Sequence, residues 1–384
     1  MNWLLKILLS VFALLIAVAT LLFFGVGFQK IFPGLDDGQQ PDRAAYKTEV
    51  PFTDTILYAE FLSKINQEEN LDGYVYLTGR KSSADDASVM NTYVYSVLGK
   101  NLSEPLLPYP IWFLQKNETN NEHIFITQPV GVNRFFPTVF TKVEDSEPSR
   151  LNLDIEDALL VSERRLPELS PNGEHYLNSV LISGTGDQSG INIFNPDAWV
   201  IKTASTSATS TDVYFSNGYG AKWAIGGDYI VYVKKGGVYG KKFPTAESAE
   251  EEKEELLVSA PSSFGILNHI AVSPSGDYLA VAFPSDQDVG DSYLDLYKLN
   301  IDSGVLSTSL VSRLVSPSGE SLLEPQFSPE GRYMSALLSS RLEGNPHKLV
   351  IFDFSVGKFV DSFSLNDFVF ESLFATDWVK AVEF

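Results

Sequence analysis

The chain has 384 residues, 44% of them hydrophobic and 20% charged, with a formal net charge of −21 and no cysteine. That length holds two average domains or one large repeat fold, and the apolar content is globular rather than disordered. The missing cysteines exclude disulfides and thiolate metal sites, and the negative charge disfavours nucleic acid and anionic lipid headgroups as partners.

Residues 7–28, ILLSVFALLIAVATLLFFGVGF, carry no charge. As a helix they would reach roughly 33 Å, enough to cross the hydrocarbon core of a bilayer. Trp3 and Lys6 on one side and Gln29 and Lys30 on the other stand where interface anchors would. Ala17-Val18-Ala19 resembles a signal-peptide cleavage site, but the apolar run continues past it, whereas a secretory apolar region stops before its cut. Residues 1–30 are therefore expected to be an uncleaved transmembrane anchor, with the rest of the chain outside the cytoplasmic membrane. Residues 31–50, with Pro33-Gly34, Asp36-Asp37-Gly38 and Gln40-Pro41-Asp42, read as a linker.

Residues 54–66, DTILYAEFLSKIN, fit two elements. Leu57, Phe61, Leu62 and Ile65 make a helical stripe that Asp54 would cap, and the same run could open a β-sheet unit. Residues 73–78 and 92–98 alternate aromatic with small or β-branched side chains, as strands do. Residues 111–114 and 123–127 are expected to form a hairpin through the turn 117–121.

Further along, a unit recurs. Ser273-Pro274-Ser275-Gly276-Asp277-Tyr278 precedes the apolar run 279–283, and Ser328-Pro329-Glu330-Gly331-Arg332-Tyr333 precedes a like run. Proline presets φ at the second turn position and glycine accepts the positive φ that follows. Ser170-Pro171-Asn172-Gly173-Glu174-His175-Tyr176 repeats the turn with one extra residue before the tyrosine. Gly226-Gly227-Asp228-Tyr229 keeps the glycine and tyrosine without the Ser-Pro. The copies near 170, 225, 273 and 328 are spaced by about 50 residues, the length of a four-stranded propeller blade with its loops. Strands are expected at 191–194, 293–299 and 348–354, a Ser/Thr-rich loop at 202–212, and a solvated acidic stretch at 247–255. Ser316-Pro317-Ser318-Gly319 mimics the turn but reads as a loop with no strand run after it.

The segments Ser273 to Ala280 and Glu324 to Gly331 resemble the WD-like repeats of TolB-like β-propellers of bacterial periplasmic proteins. The resemblance covers about 169–360 and departs at Asn172, Ser275 and Glu330, where the family carries aspartate. It implies an all-β propeller of six or seven four-stranded blades, over residues 51–384, behind a single transmembrane helix. Closure is expected from a composite blade in which residues 368–384 pair with residues 46–62.

Chemistry is harder to find. There is no Gly-x-Ser-x-Gly elbow and no phosphate-binding glycine pattern. His123, His175, His269 and His347 are scattered, without the spacing of a zinc pair. Asp286, Asp288 and Asp291 alternate faintly like a calcium loop but read as a turn. No catalytic, cofactor-binding or metal-ligating residue is assigned, and no cofactor is implied. The expected role is a protein- or ligand-binding platform in the bacterial cell envelope, with the membrane and another envelope protein or peptide as partners and no nucleic acid. Alternatives are an enzyme acting on envelope polymers through carboxylates in the propeller funnel, and a structural or assembly factor.

Overall fold

Runs such as YIVYV and YLAVAF are short, uncharged and rich in β-branched and aromatic side chains, which suits strands covered on both faces. In the computed structural model they are strands of antiparallel four-stranded sheets. The structure describes residues 55–81, 91–103, 111–117, 122–127, 138–143, 149–150, 168–181, 199–205, 213–244, 253–260, 269–283, 292–316, 320–340, 346–365 and 368–380. The expected anchor at 7–28 and linker at 31–50 lie outside them, as do the strand expected at 191–194 and the acidic turn at 286–291. Among the described residues no helix is long and apolar enough to cross a membrane.

Among the described residues the strands form six four-stranded sheets. Blade 1 runs β24 (Phe368–Val379), β1 (Tyr74–Lys81), β2 (Asn91–Ser96), β3 (Asn101–Ser103). Blade 2 is β4 (Ile111–Asn117), β5 (Glu122–Thr127), β6 (Thr138–Val143), β7 (Ser149–Arg150). Blade 3 is β8 (Glu168–Leu169), β9 (His175–Leu181), β10 (Trp199–Ser205), β11 (Val213–Asn217). Blade 4 is β12 (Tyr219–Ala224), β13 (Tyr229–Lys234), β14 (Gly237–Lys242), β15 (Glu255–Ser259). Blade 5 is β16 (His269–Val272), β17 (Tyr278–Phe283), β18 (Tyr293–Asp302), β19 (Val305–Val315). Blade 6 is β20 (Glu320–Phe327), β21 (Tyr333–Ser340), β22 (Pro346–Asp353), β23 (Lys358–Ser364). One strand of each blade touches its counterparts on both sides, in the order β24, β4, β8, β12, β16, β20 and back to β24. These are the innermost strands, and their contacts close a ring. The architecture is an all-β propeller of four-stranded blades.

The core lies between blades. Leu279, Val281 and Phe283 of β17 pack with Val231 and Val233 of β13, so blades 4 and 5 share one apolar layer. Val75 and Leu77 of β1 pack with Leu337 of β21 and Leu349 of β22, so blades 1 and 6 share another. Strands buried on both faces follow from this stacking.

The ring closes through a composite blade, but not with the expected partner. β24 pairs with β1 in a register that sets Val75 against Trp378 and Tyr74 against Val379. Residues 55–62, expected within the pairing segment, instead lie in helix α1 (Thr55–Lys64). Their buried side chains, Tyr58 and Phe61, are three apart, which a helix places on one face and a strand on opposite faces. Two other expectations change. Residues 202–205, read as loop, continue β10, and a strand, β20, does follow the Ser-Pro-Ser-Gly mimic at 316–319. The Ser/Thr content of 202–205 and the charge of Glu320 hide strands whose ladders are set by neighbours.

Candidate functional site

The Ser-Pro-x-Gly turns at 170, 273 and 328 each join an innermost strand to the second strand of its blade. The run after the motif is therefore the second strand from the ring interior. In the copy at 273, the Ser273 N–H donates to the Tyr278 carbonyl at 2.9 Å, and the Gly276 N–H donates to the Ser273 carbonyl at 2.8 Å. The Ser273 hydroxyl accepts the Tyr278 N–H at 3.1 Å. Ser328 makes the same set with Gly331 and Tyr333, at 2.9, 3.0 and 2.9 Å. Gly276 and Gly331 sit at φ 77° and 82°, the left-handed region that a β-carbon resists. At Ser170 the partner at the fifth position is His175, whose N–H reaches the Ser170 hydroxyl at 3.0 Å. There is thus no inserted residue in this copy: histidine replaces tyrosine, and its ring lies 5.1 Å from that of Phe243.

The turns stand side by side along one face of blades 3 to 6. A β-carbon on Gly276 would come within 3.0 Å of the Ile225 nitrogen, and one on Gly331 within 3.3 Å of Ile65 Cγ2. Helix α1 and the segment after it join this row. Phe61 is fully buried, with its ring 4.8 Å from Tyr278 of blade 5 and 4.9 Å from Phe354, which follows β22 in blade 6. The Tyr58 hydroxyl donates to the Phe354 carbonyl. Lys64 pairs with Asp277 at 3.0 Å, and Glu60 with Lys298 at 2.8 Å. The helix is therefore wedged into the groove between two blades. Burial, with help from Glu60 and Asp277, pushes the Tyr278 hydroxyl up to about 12.

Glu69 completes the row. Its buried carboxylate accepts from the Ser328 hydroxyl at 2.9 Å and from the Glu330 and Arg332 N–H groups at 3.1 and 3.0 Å. Burial pushes this carboxyl above its ordinary range, although the bonds from Ser328 and Arg332 oppose the shift. Arg332 in turn donates to the Glu69 carbonyl at 3.1 Å and pairs with Asp353 at 2.8 Å.

The innermost strands carry polar side-chain pairs that bridge successive blades. Lys222 of β12 donates to Glu168 of β8 at 2.6 Å, and the Trp223 indole N–H donates to the Glu168 carbonyl at 3.1 Å. His269 of β16 stands 2.6 Å from Glu324 of β20, and both are buried. Glu324 adopts φ 49° at an irregularity between Leu323 and Gln326. A non-glycine residue there is strained, and such strain collects where surrounding structure fixes a side chain for a purpose. Farther out, Glu254 joins blades 3 and 4 by accepting from Ser216 at 3.1 Å and Lys234 at 2.7 Å, and from Tyr232. Burial alone would raise this carboxyl, but these bonds hold it below the usual range. Glu254 is thus part of a half-buried cluster rather than the solvated end of the acidic stretch.

Of the four histidines, His269 meets an acid and His175 opens β9. His123 and His347 lie in β5 and β22. No group of three or more metal-ligating side chains occurs among the described residues. Sequence reasoning missed Glu69, Lys222 and Glu324, whose partners are tens to hundreds of residues away. The one local signal is Glu324-Pro325, a break in an otherwise regular strand.

No family model matches the chain, and no curated protein does. Among solved structures it is similar to TolB from Acinetobacter baumannii, at 13% identity and a TM-score of 0.53, over 83% of this chain and 69% of that one. A nidogen/laminin complex matches at 8% identity and a TM-score of 0.48, covering 81% of this chain and 100% of the other. The Cps50 (Swd1) β-propeller domain of Myceliophteria thermophila matches at 11% identity and a TM-score of 0.44, covering 78% and 89%. The TolB likeness shows the fold, and the other two add nothing to it.

Proposed function

We propose that the chain is a protein-binding propeller, complete at six blades, that is anchored in the cytoplasmic membrane by residues 7–28 and works outside that membrane in the bacterial cell envelope. The seam between α1 and blade 6 carries this reading. Ile56 and Val356 each lie two residues from the Tyr58–Phe354 bond, and they are 79% and 53% exposed on a strongly acidic chain. Large apolar side chains exposed at the seam that α1 fills suit a protein or peptide partner.

The tests are direct. A photoreactive side chain at position 56 or 356 is expected to capture one common protein in cells, and adding Ile56→Asp or Val356→Asp at the other position is expected to reduce that capture. Captures that differ between the two positions would contradict the reading. Leu15→Arg costs roughly 3 kcal/mol of insertion and is expected to shift the protein from the membrane to the soluble fraction. Full retention in the membrane fraction would contradict the anchor.

A further inference from the structure

An open sheet edge is a template for another strand, and proteins blunt edges with short strands, charges or proline. Five of the six outermost strands obey this. β3, β7, β11 and β15 have 3, 2, 5 and 5 residues, and β23 has 7 with Lys358 and Asp361 among them. The outermost strand of blade 5 uses none of these three, although it carries an irregularity at Val311 and lies against α1. β19 has 11 residues, contains no proline, and carries one charge, Arg313, which is bound to Asp295 at 2.6 Å. Among the described residues no strand pairs with its edge opposite β18.

The sequence of this edge says what fits it. Val305-Leu306-Ser307-Thr308-Ser309-Leu310-Val311 reads the same in both directions. Antiparallel pairing about a two-fold axis through Thr308 would set Ser307 against Ser309, Leu306 against Leu310 and Val305 against Val311 of a second copy. Every side chain would meet its own kind, with no charge within the pairing. Val305 is 47% exposed, so the pairing would also cover apolar surface. The strand is held ready from its flank: Leu306 packs into the layer shared by blades 4 and 5, and the Thr308 hydroxyl donates to the Leu257 carbonyl at 2.6 Å. The irregularity that leaves Val311 without a partner in β18 falls at the end of the palindrome.

We infer that β19 is an isologous interface through which two copies of this chain join edge to edge, extending blade 5 of each into one eight-stranded sheet. Two-fold pairing of this kind makes the same patch serve both copies and closes the assembly at a dimer. A contact of this size is small, so the dimer is expected to form with a dissociation constant on the order of 10 μM.

The test uses the full chain in mild detergent, with mass measured by light scattering at increasing concentration. The parent is expected to pass from monomer to dimer below about 100 μM. Ser307→Lys, at an exposed position, is expected to weaken the dimer at least roughly tenfold while leaving the melting temperature unchanged, because it sets charge into the uncharged pairing. Because the chain lacks cysteine, the double variant Ser307→Cys, Ser309→Cys is expected to trap a covalent dimer, and Val356→Cys is not. A parent that stays monomeric at about 100 μM would overturn the inference. So would a dimer that Ser307→Lys leaves intact and that the cysteine pair fails to trap, since its contact would lie elsewhere, the apolar run 7–28 included.

Discussion

Glu69 concentrates more of the blade 6 turn than any other side chain. Its carboxylate serves one hydroxyl and two backbone N–H groups, and it comes from 259 residues earlier in the chain than Ser328. Glu69→Ala strands those donors in a buried setting and is expected to cost about 2 kcal/mol, read by urea denaturation. A loss within error would show that water replaces the carboxylate. Asp353 behaves in the opposite sense with pH. Burial would raise it, but bonds from Arg332 and Ser355 hold it below the usual carboxylate range. Its contribution is therefore present above the unfolded value, about 4, and is lost as pH falls through the lowered folded value. The stability gap between the parent and Asp353→Asn is expected to narrow as pH falls from about 5 to about 2. A constant gap would contradict this. The glycines of the turns were legible, since Ser-Pro-x-Gly names its own backbone. The misreading at His175 came from aligning tyrosine with tyrosine; counting five residues from the serine gives the observed register. His175→Tyr is accordingly expected to change stability by less than about 1 kcal/mol, and a larger loss would show that the histidine has a role of its own.

At the scale of elements, α1 shows where local pattern stops. Leu57, Phe61, Leu62 and Ile65 suggested a helix, yet the residues that fix it are Tyr58 and Phe61, chosen by a groove made of Tyr278 and Phe354. Nothing within the segment encodes that groove. The same holds for β10 and β20, whose ladders are set by neighbouring strands rather than by their own propensity. The hairpin of β4 and β5 was legible because its turn and both strands are contiguous. Phe61→Ala would empty the wedge between blades 5 and 6, and is expected to cost 3–5 kcal/mol as judged by thermal or chemical unfolding. Hydrogen exchange at α1 should quicken in parallel, and unchanged protection would mean that the ion pairs at Glu60 and Lys64 hold the helix unaided.

For the whole molecule, the blade period could be read from four turns, and the apolar character of the last residues announced a closing strand. The partner of that strand could not be read, because β1 and residues 46–62 both supply apolar side chains and only packing distinguishes them. Closure by β24 is the claim on which the propeller depends: it joins the chain's last described strand to its first and brings Trp378 into the layer shared by blades 1 and 6. The most direct measurement uses the absence of native cysteine. Tyr74 and Val379 face one another across β1 and β24. The double variant Tyr74→Cys, Val379→Cys is expected to form an intramolecular disulfide under mild oxidation, located by peptide mass spectrometry, and to melt at a higher temperature than its reduced form. A pair that stays reduced in the folded protein would contradict closure through β1 and β24.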